Sequence, residues 1–221
     1  AFLAIRGDIP EAPASRGAAD GRPIPTGERV SHEFHHLPVM VDEIVELFGT
    51  VPAGYVLDAT LGGGGHSEAL LTRWPHIGIL GIDRDVTALA AAQQRLARFG
   101  DRVKVYRCRF DRLEQAMEAL SIETLSGALF DLGVSSPQLD RADRGFSYRN
   151  DADLDMRMDQ DQMWSAKDVV NGYTAEQLMT IIAKFGDERF AKRIANAIVA
   201  ARPIDSTAQL AEVVTAAIPD A

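Results

Sequence analysis

The stretch Tyr55-Val-Leu-Asp58-Ala-Thr60-Leu-Gly62-Gly-Gly64-Gly65-His66 carries the fold decision. An apolar run ends in an acid, four glycines follow, and His66 to Trp74 continues with helical spacing until Pro75 stops it. That is a buried strand, a tight turn and a helix in succession. The unit then repeats. Ile77 to Ile82 reads as a second strand ending at Asp83, Ala88 to Phe99 as an alanine-rich helix, and Val103 to Tyr106 as a third strand. Leu113 to Leu120 reads as a helix and Gly127 to Leu132 as a fourth strand. Strands alternating with helices predict an α/β fold with right-handed crossovers and a mostly parallel sheet covered on both faces.

Outward from this core the pattern changes on both sides. Before it, Val41, Ile44, Val45 and Phe48 fall on one helical face. Earlier still, residues 1–36 show neither period, and Pro10, Pro13, Pro23 and Pro25 interrupt them, so an irregular N-terminal arm is expected. After Leu132 come forty polar, charge-dense residues without a strand signal, followed by three helices. Thr174-Ala-Glu-Gln177 and Ser206-Thr-Ala-Gln209 have capping-box spacing, and the middle helix is predicted to start at Asp187. The expected organisation is an arm over 1–36, a core over 37–139 and a helical lobe over 140–221.

Composition narrows the class. The chain has 221 residues, 46% of them hydrophobic and 25% charged, with a net charge of −9. These values are globular, and the acidic balance disfavours a protein whose whole surface clamps nucleic acid. The lone Cys108 excludes an internal disulfide or a cysteine-based metal cluster and fits a reducing compartment. Ala1 to Ile5 is too short for the apolar part of a signal peptide, and no stretch approaches a membrane span, so the cytoplasm is the expected location.

Several residues stand where chemistry is done in open α/β sheets, at the carboxyl ends of the strands. Glycines let the backbone approach a ligand, and the following helix aims its first amides at it. Asp83, twenty-one residues after Gly62, is placed to take ribose hydroxyls, and Phe110 after the third strand offers a face for adenine. Ser67 stands where a dinucleotide fingerprint needs its third glycine, which speaks against a nicotinamide-dependent oxidoreductase. The glycine spacing instead resembles the Asp/Glu-x-Gly-x-Gly-x-Gly loop of adenosylmethionine-dependent methyltransferases, with Thr60 in place of the first glycine.

The fourth strand runs into Asp131-Leu-Gly-Val-Ser-Ser-Pro-Gln138. Ser136-Pro137 matches the first half of the Asp/Asn/Ser-Pro-Pro-aromatic motif of amino-group methyltransferases, and Gln138-Leu139 does not match the second. Asp151, Asp153 and Asp155 alternate as in a calcium loop. Met156 replaces the turn glycine and Gln162 the bidentate glutamate, so a solvated acidic loop offset by Arg141, Arg144, Arg149 and Arg157 is expected. Lys184, Arg189, Lys192 and Arg193 form a basic helical face, with phosphate contact and solubility as its two open uses.

Five segments then occur in a telling order: Asp58 to Ser67, Asp131 to Asp140, Arg144-Gly-Phe-Ser147, Asp153-Leu-Asp-Met-Arg-Met-Asp159 and Gly186 to Ile194. Together they resemble the bacterial 16S rRNA cytosine-N4 methyltransferases of the RsmH (MraW) type, over about residues 36–218. The resemblance implies a class I, Rossmann-like methyltransferase with an inserted all-helical substrate domain. It implies S-adenosyl-L-methionine as cofactor and, as substrate, one cytosine of the decoding centre in the small ribosomal subunit. The family's cofactor contacts fall on Gly64, Gly65, His66, Asp83, Phe110, Asp131 and Gln138.

For the amine transfer, Asp131 or Ser136 is expected to accept a hydrogen from the cytosine amine, with Asp131 the polar anchor near the methionine amino group and Ser135, Ser136 and Pro137 shaping the base pocket. The family's later strands, including a Phe-His-Ser-Leu-Glu-Asp segment, have no counterpart in these residues: either the sequence is a piece of a longer chain, or a genuinely four-stranded sheet is expected to be poorly stable and inactive. A non-catalytic RNA-binding or assembly factor on the same fold stays open beside the enzyme, as does a homodimer.

Overall fold

The computed structural model describes residues 38–134, 139 and 141–219. The expected N-terminal arm lies outside the described residues, as do Ser135, Ser136, Pro137 and Gln138. The chain divides into two compact units, with the boundary between Gly133 and Val134.

In the first unit α1 (Val41–Phe48) precedes β1 (Gly54–Asp58), α2 (Gly65–Arg73), β2 (Ile77–Asp83), α3 (Val86–Leu96), β3 (Val103–Arg107), α4 (Leu113–Ala119) and β4 (Gly127–Leu129). The strands form one parallel sheet in the order β3-β2-β1-β4. Side chains alternate across it as the two-residue period requires. Val56, Ile77 and Ile79 enter one core with Leu70, Leu71, Leu89, Ala92 and Leu96 of α2 and α3. Leu57, Leu80 and Ile82 enter the other, with Ala116 of α4. The chain steps outward through β2 and β3, then returns to the far side of β1. A right-handed crossover in the reverse direction lands on the opposite face, which is why α4 is separated from α2 and α3. The reversal beside β1 creates a topological switch point at the carboxyl ends of β1 and β4.

Local chemistry sets the element ends. Asp85 caps α3 by accepting the Thr87 and Ala88 amides, so the helix begins at Val86, earlier than the alanine run predicts. It ends at Leu96, and a tighter 3-10 segment, Ala97–Arg102, follows with Gly100 at φ 55°. At the amino end of the sheet, the Arg102 guanidinium donates to the carbonyls of Leu71, Trp74 and Ile77. One side chain thereby satisfies the end of α2 and the start of β2. β4 is shorter than its sequence predicts. It leaves the ladder after Leu129, and Phe130, Asp131 and Leu132 are exposed.

The second unit holds α5 (Ala166–Gly172), α6 (Ala175–Gly186), α7 (Ala191–Ala201) and α8 (Thr207–Ala217). Leu154, Val170, Leu178, Ile194, Ala195, Ile198, Ile204 and Ala217 make its core. α5 is an addition to the three helices read from the sequence. Ser165 and Asp168 form a reciprocal capping box at its start, and so do Thr174 and Gln177 on α6. On α8 the box is half made: Ser206 accepts the Gln209 amide, while the Gln209 side chain accepts the Asp205 amide. Asp187 does not open a helix. It closes α6 in the left-handed conformation at φ 49°, which aspartate tolerates, and α7 begins at Ala191.

The acidic segment is knitted into this unit. Leu154 is buried in the core, and Asp153 bridges to Ser206. Arg157 forks onto Asp155 at 2.7 Å and holds that carboxyl below the usual range. Arg144 is buried and donates to the carbonyls of Arg157 and Met158. The solvated loop expected here is therefore, around residues 153–158, part of the fold. No helix among the described residues is long and apolar enough to cross a membrane.

Candidate functional site

Every described residue of the expected cofactor set lies at the carboxyl end of the first unit's sheet or in the loops leaving it. β1 delivers Asp58, which is 2% exposed. Its Oδ2 accepts the Ser67 hydroxyl at 2.6 Å and its Oδ1 the Thr60 amide at 3.3 Å. Burial pushes this carboxyl up to about 6, although both hydrogen bonds and the His66 ring pull the other way. Asp58 is thus a brace between strand and helix, closed off from ligands.

The glycine loop separates into two functions. Gly64 and Gly62 both have positive φ, 78° and 51°. A Cβ on Gly64 would press on Leu96 and Ala92 at 3.2–3.3 Å, and one on Gly65 would collide with Pro38. Those two glycines are required by packing and backbone conformation. A Cβ on Gly62 would meet only the Thr60 carbonyl oxygen, at 3.8 Å, so its face is open. Gly62 is the glycine of this loop with room beside its backbone, and it is absent from the set that the family resemblance supplied.

Asp83 at the tip of β2 reaches back to this loop. Its Oδ2 accepts the Gly62 amide at 2.8 Å, and its Oδ1 accepts the amides of Arg84 and Asp85 at 2.7 and 3.0 Å. A carboxylate has about four acceptor positions, so capacity is left for a hydroxyl. Burial raises the Asp83 carboxyl above its ordinary value against these three amides.

His66 opens α2 and is buried. Its Nε2 lies 2.8 Å from the Val39 carbonyl oxygen, which can only accept, so Nε2 carries a proton and donates. Nδ1 then faces Asp131 Oδ2 at 4.0 Å, beyond direct hydrogen-bond reach. A proton-rich group placed between them, such as an ammonium, would satisfy both. Asp131 is positioned through its backbone, because its amide donates to the Thr60 hydroxyl at 2.8 Å. Thr60 therefore has a task that a glycine at this place could not perform.

Phe110 follows β3 and Phe130 follows β4, on opposite edges of the sheet. Their rings nevertheless meet edge to face, with centroids 6.0 Å apart and planes at 86°. They are 36% and 49% exposed, an aromatic corner at the sheet's carboxyl end with a free face. Phe130 went unrecognised in the sequence. The available signal was a bulky aromatic placed directly after a strand tip, where the following acid drew attention instead.

An open parallel sheet with a glycine turn after the first strand, an acid at the tip of the second and a switch point beside β1 is the architecture of class I methyltransferases. The chain belongs to the MraW methylase family, whose pattern it matches over residues 33–221. It is 46% identical over 224 residues to the ribosomal RNA small subunit methyltransferase H of Thermobifida fusca (strain YX), covering 98% of this chain and 64% of that protein. The proteins of the same name from Kocuria rhizophila and Mycobacterium sp. (strain KMS) are 48% and 47% identical. These matches cover 88% and 84% of this chain and 61% and 52% of the relatives. The chain thus spans between half and two thirds of the length of these curated relatives.

Proposed function

We propose that the chain takes part in S-adenosylmethionine-dependent methylation of the exocyclic amine of a cytosine in 16S rRNA, on the small ribosomal subunit. The observation that carries this reading is the convergence of open Gly62, Asp83, the His66 and Asp131 pair and the Phe110 and Phe130 corner at one end of the sheet. These groups fit the cofactor part by part. Asp83 and the Gly62 backbone hold the ribose, the aromatic corner takes the adenine, and His66 Nδ1 with Asp131 receives the methionine ammonium. Gly64 and Gly65 shape the turn beneath it. Gln138 contributes a further cofactor contact.

When bound, S-adenosylmethionine supplies a methyl group on a sulfonium, ready for in-line displacement. The chain's own work is orientation. The cytosine amine is a poor nucleophile because its lone pair is conjugated into the ring, so the acceptor must be held close and relieved of a proton. Asp131 is the carboxylate for this, and Ser136 the second acceptor, with Ser135 and Pro137 walling the base. The target base leaves its stack to enter, which assigns the grip on RNA to the helical unit. On this reading the activity belongs to the cytoplasm, where its ribosomal substrate is, and a second copy of the chain is not needed for any named role.

Calorimetric titration with S-adenosylmethionine tests the reading, with NAD as control and Asp83→Asn as the variant that keeps an acceptor for the Gly62 amide. Micromolar binding that the variant loses, followed by methyl transfer to unmodified small subunits, is the expected result. Binding of NAD in its place, or no binding by a folded sample, overturns it.

A further inference from the structure

The helical unit uses half of its ten cations internally. Arg141 pairs with Asp143, Arg157 with Asp155 and Lys167 with Asp205. Arg144 and Arg202 are directed onto backbone carbonyls. Lys184, Arg189, Lys192 and Arg193 differ from these. All four are exposed, and among the described residues none of them forms an ion pair with a carboxylate. Arg189 and Lys184 lie over their neighbouring rings, Phe190 and Phe185, at 4.6 and 5.8 Å.

Their placement argues against a role in stability. Lys192 and Arg193 occupy the first turn of α7, which has no acidic residue and no side-chain cap. Cations there oppose the helix dipole, and among the described residues neither is within ion-pair distance of a carboxylate. Of the two acids that precede them, Glu188 accepts the Phe190 amide and Asp187 closes α6. Solubility does not require this grouping either, since a chain of net charge −9 is already strongly charged. Four unpaired cations within ten residues of an acidic chain form a surface complementary to a polyanion.

We infer that Lys184, Arg189, Lys192 and Arg193 form the tract on which the sugar-phosphate backbone of the RNA substrate is held while one of its bases is methylated. This rests on the RNA reading above and names the surface that serves it. Arg189 stands in the turn that leads into α7, Lys192 and Arg193 in the helix's exposed first turn, and Lys184 in the last turn of α6, so the four cations flank one helix-to-helix connection. The two arginines, backed by aromatic rings or by the helix, offer forked donors suited to phosphate oxygens. Such contacts position RNA without reading its sequence.

The test is binding of a single-stranded 16S rRNA oligonucleotide to the whole chain across a salt series. It compares wild type, K184Q/R189Q/K192Q/R193Q and the charge-keeping R189K/R193K. For every phosphate that is no longer neutralised, the slope of log affinity against log salt falls by about 0.7. The expected result is a slope reduced by about 2 to 3 and affinity down at least tenfold in the first variant. Most of both should be retained in the second, with S-adenosylmethionine affinity unchanged in all three. An unchanged slope in the glutamine variant overturns the inference even where methyl transfer proceeds, as does polyglutamate competing as well as RNA at equal charge. A slope that falls as expected in a protein that never transfers methyl supports the surface and defeats the enzyme reading alone.

Discussion

The Thr60 hydroxyl accepts the amide of Asp131 across 71 residues of chain, at 2.8 Å. This bond fixes where the chain goes after it leaves β4, and so fixes the carboxylate proposed to serve the amine. Thr60→Val keeps the shape and removes the acceptor. The amide is exposed enough to find water, so the stability loss is about 1 kcal/mol. Methyl transfer should drop by tenfold or more while S-adenosylmethionine binding changes less, and Thr60→Ser should restore it. Equal turnover in Thr60→Val would remove Asp131 positioning from the mechanism.

The buried Asp58 makes a pH prediction with an unusual sign. Its folded-state value is about 6 against an ordinary 3.8, so between those values the native state binds more protons than the unfolded one. Stability contributed by this group is present at low pH and is lost as pH rises from about 4 to about 6, by up to ~3 kcal/mol. Urea denaturation of wild type and Asp58→Asn across this range gives a difference curve that isolates the group. A wild type that gains stability relative to the variant with rising pH would contradict the burial argument.

Two glycine substitutions should separate packing from ligand approach. Gly62→Ala places a methyl in open space at φ 51°, costing roughly 1 kcal/mol of backbone strain. It should fold and bind S-adenosylmethionine at least tenfold more weakly. Gly64→Ala adds contact with Leu96 and Ala92 to the same strain, costing roughly 2 kcal/mol or more. Thermal unfolding and calorimetry on both variants check the order.

Phe130→Ala removes half of the aromatic corner from an exposed place. Stability should move by less than about 0.5 kcal/mol. Stacking of a base on an aromatic ring is worth about 1–3 kcal/mol, so S-adenosylhomocysteine should bind about tenfold more weakly. Phe130→Tyr should bind as wild type does, and an unaffected alanine variant would assign the adenine to Phe110 alone.

In the second unit, Gly145 and Met156 both have positive φ, 67° and 56°. A Cβ on Gly145 would strike the backbone of Asp153 and Asp155, so Gly145→Ala should destabilise by roughly 2 kcal/mol or more. Met156 is half exposed and loses little packing. Met156→Gly relieves its strain and should stabilise by up to ~1 kcal/mol in chemical denaturation.

The sheet was legible because parallel strands buried on both faces read as apolar runs, and Val56-Leu57 and Ile79-Leu80 feed opposite cores. Asp83 was legible because it ends such a run. The exit of β4 was not, since Phe130 and Leu132 look like strand residues, while the strand that β4 pairs with ends at Asp58, opposite Leu129, and Asp131 turns to the Thr60 hydroxyl. α5 escaped notice because a seven-residue helix shows barely two turns of periodicity, and its start is marked only by Ser165 and Asp168. Asp187 looked like an opening cap because the left-handed closure of the preceding helix leaves no trace in residue type beyond the glycine before it.

The Arg102 guanidinium gathers its carbonyls at the sheet end opposite the glycine loop. Holding and handling are thereby assigned to different ends of the same strands. Substitutions at the carboxyl tips can retune what is bound without loosening the end that keeps the strands in register. A sheet divided in this way can change its chemistry by inheritance while keeping its foundation.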